Sequence, residues 1–554
     1  MADSYTVQKS LEEQSDDYLF QNRQYSYITD SNSGSYNQGG QVTLELSGIS
    51  NSGKYLDTNQ SYISIPIVTT LYAVDGNFKN DTPENAFAVS LKNGYTSLIS
   101  SLQVECTNNS VTSVMQYSNV MMNFKNLTEM SLDDQNNYGA SIGFQKDDVL
   151  GTTYQSTASS QGLGTCNNVI KASTFDPSLG YGKSDFNQNK GRLERMKCSS
   201  YDASQTGESV QNLALTGKSY CQTDGLALGK VINYYSVAHL PLAFLSDFFA
   251  KFPLCKGMYL KIILNLNCNC SSTMTVNAAG LFTSVVSSSQ NGQVPYMISP
   301  INGGNGINIQ SATPVTKMEL SIAIARNSIN SSGVTYSHPT LSSVRAYCCL
   351  YDMTPQAEQM YLSKQSTKTI KYSDFLSFQT LNIGAGANYN QILTNSIARG
   401  RRLIGVPQIA AAFNSAGTSG TIAPANSPFS TCPNTTSNTP ITNYNILISG
   451  SNLYQQNVNF GVEHFVQELR KTGSMNGGMS LGMSSGLLDQ LDYEAGYRFL
   501  VSDLSRCPSE ASDNISKSIQ VIGTNSSKYP IDILWFLEFE REVTIDLQTG
   551  SLIA

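Results

Sequence analysis

Between residues 533 and 547 the chain alternates with a two-residue period. Leu537, Phe539, Val543, Ile545 and Leu547 fall on one side, and Glu538, Glu540, Glu542, Thr544 and Asp546 on the other. That period predicts a long β-strand with one dry and one wet face. The same alternation recurs at Val42/Leu44/Leu46, Ile63/Ile65/Ile67, Leu260/Ile262/Leu264/Leu266 and Met318/Leu320/Ile322/Ile324. Further strands are expected around 231–235, 344–351, 370–381, 441–449, 497–504 and 519–522. Helical spacing is sparse. A helix is predicted near 114–130. A second spans Pro241–Phe252, where Leu242, Leu245, Phe248, Phe249 and Phe252 share a face and Pro241 suits the first turn. A third carries the stripe Val462, Phe465, Val466 and Leu469.

Two long polar stretches, about 132–220 and 412–440, exceed ordinary connections and read as elaborated surface loops. Residues 288–315, containing Ser287-Ser288-Ser289 and Gly303-Gly304-Asn305-Gly306, read as a seam. With 554 residues, the chain exceeds what one core organises, about 250–300 residues. The expectation is an all-β protein of two tandem eight-stranded jelly-roll sandwiches with a few short helices. An N-terminal arm would cover 1–35, the first sandwich 36–300 and the second 301–554.

Charged residues are only 14% of the chain, while 30 Tyr accompany abundant Asn, Ser and Thr, a mixture suited to strands and broad contact surfaces. The net charge of −7 leaves no basic footprint for a phosphate backbone, so direct sequence-specific nucleic-acid binding is not expected. Eleven cysteines, an odd number with adjacent Cys348-Cys349 and closely spaced Cys268 and Cys270, read as reduced, mostly buried thiols of a reducing compartment. The acidic N-terminus lacks the apolar core of a secretory signal. The apolar window 240–254 is too short for a transmembrane segment. The sequons at Asn126, Asn434 and Asn525 read as chance products of composition.

Candidate chemistry is thin. Gly482-Met483-Ser484-Ser485-Gly486 matches a hydrolase nucleophile elbow, but a flexible Gly-rich run precedes it and the last histidine, His464, lies upstream. His239, His338 and His464 are scattered. Cys268/Cys270 lack a second ligand pair for zinc. Met475, Met479 and Met483 suit adaptable packing at a subunit contact better than a soft metal. Gly384-Ala385-Gly386 lacks the helix and Lys of a phosphate loop. Glu538, Glu540 and Glu542 form a single row, whereas glycoside hydrolysis needs a pair flanking a cleft. The basic clusters Arg399-Gly400-Arg401-Arg402 and Lys190/Arg192/Arg195/Lys197 read as solvated loop or strand edge, with pairing to carboxylates of neighbouring subunits as the alternative. No catalytic, cofactor-binding or metal-binding residue is therefore expected.

The succession Tyr497–Arg506, Lys517–Gly523 and Phe536–Arg541, ending in Thr549-Gly550, resembles the C-terminal end of double jelly-roll major capsid proteins of virophages and polinton-like viruses. Tyr351-Asp352-Met353-Thr354-Pro355 through Leu362, and the passage Leu240–Leu266, are similar in the same sense. The resemblance implies homotrimers with a pseudo-hexameric outline that tile an icosahedral shell of a double-stranded DNA virus. It also implies neighbouring capsomers, penton and minor capsid proteins as partners, with the long loops as outward towers and the N-terminal arm on the inner side. Some relatives carry a C-terminal extension removed by a viral protease. This chain ends at Ala554, soon after its last strand, so maturation at that end is not expected. The competing classes are a β-rich virion spike or glycan-binding adhesin, which should show a secretion route or stalk repeat, and a cupin-type enzyme, which needs clustered His.

Overall fold

The computed structural model describes residues 19–31, 40–75, 88–107, 109–146, 220–222, 231–276, 282–289, 291–299, 316–324, 328–331, 334–337, 343–364, 366–410, 424–428, 439–471, 485–506 and 515–553. Two sandwiches follow one another. The first is built from β1 (Phe20–Thr29), β2 (Gln41–Glu45), β3 (Tyr55–Ala73), β4 (Ile99–Cys106), β5 (Asn109–Ser110), β6 (Val231–Pro241), β7 (Leu260–Leu266) and β8 (Arg345–Met353). The second contains β9 (Thr367–Ile383), β10 (Asn388–Ile397), β11 (Gly400–Ile409), β12 (Ile441–Ile448), β13 (Ser451–Asn452), β14 (Leu500–Asp503), β15 (Lys517–Asn525) and β16 (Ile531–Asp546).

The pairing order is the same in both. In the first, β1-β8-β3-β6 face β2-β7-β4-β5; in the second, β9-β16-β11-β14 face β10-β15-β12-β13. Each sheet alternates strands from early and late in its half, which is jelly-roll topology. All these pairs are antiparallel.

Pairing also relocates two sequence expectations. Strand Lys317–Ile324, read from its alternation as the start of the second half, hydrogen-bonds to the far end of β3 (Met318 opposite Ala73). With Ser271–Val276 and Phe282–Ser288 it extends the first sheet, so residues 267–344 form one insertion between β7 and β8. The first sandwich closes only when β8 slots between β1 and β3; the change of sandwich falls between Met353 and Thr367, not at 301. Likewise, residues 20–29 of the expected arm are the first strand of that sandwich. Residues 1–18 lie outside the described residues.

Among the described residues, besides one turn of helix at Ser47–Ser50, seven helices fill gaps: α1 (Ser118–Glu129), α2 (Leu132–Ile142), α3 (Leu242–Leu245), α4 (Asp247–Lys251), α5 (Pro355–Lys364), α6 (Val462–Lys471) and α7 (Gln490–Ala495). The single helix expected over Pro241–Phe252 is two short ones. Ser246 adopts an extended backbone between them, and its hydroxyl accepts from the Phe248 amide to cap α4. The break lets Phe248 and Phe249 both reach the core, each at 0% exposure.

The two cores interlock. Ile370 and Tyr372 of β9, with Ile545 of β16 and Leu547 just beyond it, are buried in the first core. In exchange, Val120, Met121, Phe124 and Leu127 of α1 are buried in the second. Trp535, the sole tryptophan, lies at 0% exposure between Tyr444 and Tyr389. It donates from Nε1 to Thr380 Oγ1 at 2.9 Å. Gly405 on the adjacent strand has to be glycine, because a Cβ there would stand 2.6 Å from the indole.

Candidate assembly surfaces and the sandwich junction

The acidic row and the basic cluster, the two most charged features of the sequence, are neighbours in one sheet. Antiparallel pairing sets Arg402 opposite Glu538. Arg402 Nε donates to Glu538 Oε2 at 2.7 Å, Arg401 Nη2 to Glu540 Oε2 at 2.6 Å and Arg399 Nη1 to Glu542 Oε2 at 3.0 Å. The cluster therefore pairs within its own sandwich. Position along the ladder sets the energetics. Arg401 and Glu542 are well exposed, and such pairs contribute about 0–1 kcal/mol. Arg402 has 3% side-chain exposure and Glu538 14%. Burial alone would raise the Glu538 pKa, but Arg402, a hydrogen bond from Ser373 and the charge of Lys125 hold it below the ordinary glutamate value.

Arg402 also joins the sandwiches. Its guanidinium lies 5.8 Å from the ring centroid of Phe124 and its Nη2 is 3.6 Å from Glu129 Oε1, both on α1. Lys125, one residue on, sits 5.0 Å from the Phe375 ring. Helix α1 of the first sandwich thus lies over the outer face of β9-β16-β11. That cover explains why Leu534 and Phe536, on the side expected to be wet, are 4% and 0% exposed: the polar row begins only at Glu538. A second bridge runs through Asp374, buried on β9. Its Oδ2 accepts from the Ser113 amide (2.8 Å) and hydroxyl (2.9 Å) and from Arg541 Nη1 (3.1 Å). A cavity of about 30 Å³ between the halves is lined by Lys125, Asp247, Asp374, the hydroxyl residues Thr112, Ser113, Ser246 and Ser373, and apolar side chains, room for a water rather than a substrate.

Strand direction fixes where the insertions emerge. Successive strands alternate in direction, so the connections after β1, β3, β5 and β7 leave from one end of the first sandwich, and those after β9, β11, β13 and β15 from the corresponding end of the second. The long ones, residues 111–230, 267–344, 410–440 and 453–499, all fall in this set. The two ends coincide, because Val294 donates to the Ala425 carbonyl (3.1 Å) and Ile298 to the Pro428 carbonyl (2.8 Å). At the opposite end, Lys256 donates to the Leu547 carbonyl and Leu547 to the Ser366 carbonyl.

Of the loop candidate 132–220, residues 132–142 are helix α2, and Ile142 and Phe144 are buried in the second core; residues 147–219 lie outside the described residues. Of 412–440, residues 424–428 pack inward, with Ala425 and Ser427 buried.

Apart from that charge ladder, the candidate chemical groups among the described residues lie apart. His464 stacks near Phe460 at 5.6 Å and His239 near Tyr62 at 5.9 Å, on different sandwiches. Ser485 donates to the Leu488 carbonyl in a turn against the end of α1. Gly384–Gly386 make the tight turn from β9 to β10. Cys268 and Cys270 are buried, as are Cys106, Cys255, Cys348 and Cys349, and none of these six is disulfide-bonded. His338, Met475, Met479, Met483 and the cluster 190–197 lie outside the described residues. Among the described residues there is no group of three or more His, Cys, Asp or Glu placed to hold a metal, and no helix is long and apolar enough to cross a membrane. Two sequons are sterically closed to glycan transfer: Asn126 is 1% exposed inside α1, and Asn525 is 0% exposed, its Nδ2 donating to three carbonyls.

No protein-family model matches the chain, and no curated protein sequence matches it. Solved structures do. A chain of the Sputnik virophage, determined by cryo-EM, superposes with a TM-score of 0.50 at 12% identity, covering 97% of this chain and 89% of that one. The mavirus major capsid protein is similar at a TM-score of 0.47 and 9% identity, over 98% of this chain and 92% of that one. The Faustovirus major capsid protein gives 0.42 and 10%, over 97% and 93%. Sequence identity this low speaks to architecture. The paired strand orders, the interlocked cores and the alignment with the virophage chain over 97% of this one give this protein a double jelly-roll fold.

Proposed function

We propose that this chain is the major capsid protein of an icosahedral double-stranded DNA virus or virophage, acting by assembly and not by catalysis. The observation that carries the reading is the duplication: two sandwiches of identical strand order stand side by side with their long connections at the same end. Three such chains in a ring give six similar blocks, a pseudo-hexagonal tile, and closed threefold symmetry repeats each contact three times. The end bearing residues 111–230, 267–344, 410–440 and 453–499 is the tower side, facing outward. The end bearing α3, α4, α5, the start of β1 and the end of β16 faces inward, toward penton and minor capsid proteins and neighbouring capsomers. The protein resides in the virion shell after synthesis in the host cytoplasm or nucleus.

Negative-stain electron microscopy with sedimentation of the purified chain is the direct test. Rings of three protomers with a six-cornered outline are expected. A species that stays monomeric at micromolar concentration overturns the assembly reading, since trimers of this kind bury several thousand Å² and persist far below that concentration.

A further inference from the structure

The junction carboxylates Glu538 and Asp374 are paired directly, the first with Arg402 and the second with Arg541 and Ser113. Asp247, at the start of α4, is used less fully. Its Oδ2 accepts from the Ser373 amide of the second sandwich at 2.9 Å and lies 2.8 Å from Lys251 Nζ. Both contacts fall on one oxygen, which leaves Oδ1 with acceptor capacity to spare. The nearby cation is in the same position. Among the described residues, Lys125 Nζ makes no hydrogen bond or ion pair with the protein; it lies 5.0 Å from the centre of the Phe375 ring. Thr112, 4% exposed, accepts from the Val104 amide at 2.8 Å, and Ser246 accepts from the Phe248 amide, so each keeps a hydroxyl hydrogen to donate. Lys125, Thr112, Ser246 and Asp247 all line the cavity of about 30 Å³ between the halves. Spare donors and a spare acceptor converge on one small space.

We infer that this cavity is a binding site for ordered water, a hydrogen-bonded pair of molecules that joins α1 and the α3–α4 break of the first sandwich to β9 of the second. Volume sets the number: a buried water needs about 10–15 Å³ of such space, so the cavity takes about two. Chemistry selects the occupant. A water accepts from donors and gives to acceptors at once, which suits the Lys125 ammonium and the Thr112 and Ser246 hydroxyls on one side and Asp247 Oδ1 on the other. Asp374 Oδ1, which accepts from the Phe375 amide at 2.9 Å, has a second lone pair for the same purpose. Ions fit poorly. An anion would face Asp247 and Asp374, and a cation would face the ammonium of Lys125, whereas a neutral dipole meets neither penalty. Bridging waters are nearly as favourable in enthalpy as direct hydrogen bonds, so the pair lets Lys125 bond across the seam without closing on a carboxylate. Asp247, with 26% side-chain exposure, marks the way in from solvent. The water pair belongs to the protomer and does not depend on how copies assemble.

Crystals of the full chain and of Lys125→Met, refined at a resolution that shows ordered solvent, test this. Lys125 is half-buried, and methionine removes its charged tip while keeping an apolar stem. In the wild type, density for the water pair is expected within hydrogen-bond distance of Lys125 Nζ and Asp247 Oδ1; in the variant, the water on the ammonium is lost. Oxygen-17 magnetic relaxation dispersion on the same two proteins should count fewer long-lived waters in the variant in solution. A wild-type cavity without solvent density, or one that takes up xenon under pressure as dry apolar cavities do, overturns the proposal. Water density that persists unchanged in Lys125→Met also overturns it, because the ammonium would then not be what holds the water. Should the variant fail to fold, the density and xenon measurements on the wild type decide alone.

Discussion

Replacing Arg402 by Ala should be among the most damaging single changes at the junction, and its cost should depend on pH in an unusual direction. Arg402 is 3% exposed and is the near partner of Glu538 at 2.7 Å. Its removal strips a buried carboxylate of its counter-charge, for which the usual cost is about 3–5 kcal/mol. In the wild type, Glu538 has a lowered pKa. Its contribution to stability is therefore present above the unfolded glutamate pKa, near 4.3, and is lost as pH falls through the folded value. In the variant, burial dominates and raises the pKa, so Glu538 takes up a proton on folding. The variant should then lose less relative to wild type as pH falls from 7 toward 5, by up to about 1.4 kcal/mol per pH unit below the raised pKa. Trp535, the sole tryptophan and adjacent in sequence to Phe536 on β16, makes urea unfolding followed by fluorescence a local readout. Arg402→Met/Glu538→Leu should recover most of the loss, because apolar groups of similar volume replace both charges. A penalty under 1 kcal/mol, or one that is flat from pH 7 to 5, would refute the account of Glu538 as a carboxylate held ionised by Arg402.

Three further outcomes follow from the packing. Phe124→Ala, which empties the contact of α1 with Phe499 (5.1 Å between centroids), should cost about 3–5 kcal/mol and lower the urea midpoint of the Trp535 signal; an unchanged midpoint would mean that α1 does not seal the second core. Gly405→Ala drives a methyl against Trp535 and should cost about 1–3 kcal/mol, with a shifted indole emission as the independent sign of contact. Burial pushes the Cys255 and Cys348 thiols up to about 12, so mass spectrometry after thiol labelling at pH 8 should find both untouched in the native protein and modified once it is unfolded in urea; rapid native labelling of either would contradict their placement in the first core.

Much of the sandwich interior was readable because a strand between a core and solvent must alternate. Leu260–Leu266 was delimited to the residue, and β3, β8, β9, β12, β15 and β16 were located to within their register. What alternation does not encode is which strand lies beside which. Lys317–Ile324 reads like the opening of a new domain, yet it bonds to β3, some 250 residues earlier. The pairing that settles this is long-range, and Gly-rich composition at 303–306 marks a turn as readily as a boundary. Strand β1 is not legible in the sequence for a related reason. At the sheet edge its Gln21, Asn22, Gln24 and Ser26 need bury nothing, so no apolar rhythm is imposed. The charge ladder was half legible: each side was visible, but their partnership depends on β16 lying beside β11. Sequence spacing separates Arg402 from Glu538 by well over a hundred residues.

The interlocking of cores bears on how such a duplicated chain keeps its two halves in one orientation. Side-by-side sandwiches joined only by residues 354–366 could rock about α5. Here β9 and β16 continue past the second core until Ile370, Tyr372 and Ile545 lie in the first, while α1 travels the other way. Rotation about the linker would pull apolar side chains out of both cores at once, at about 25 cal/mol per Å² of apolar surface returned to water. The Arg402, Asp374 and Lys125 contacts would break in the same movement, leaving buried carboxylates without partners. The angle between the blocks is thus set inside the protomer before any second copy arrives. A tile that must repeat the same step six times to close a ring needs that angle fixed, because an error at one junction is multiplied around the circuit.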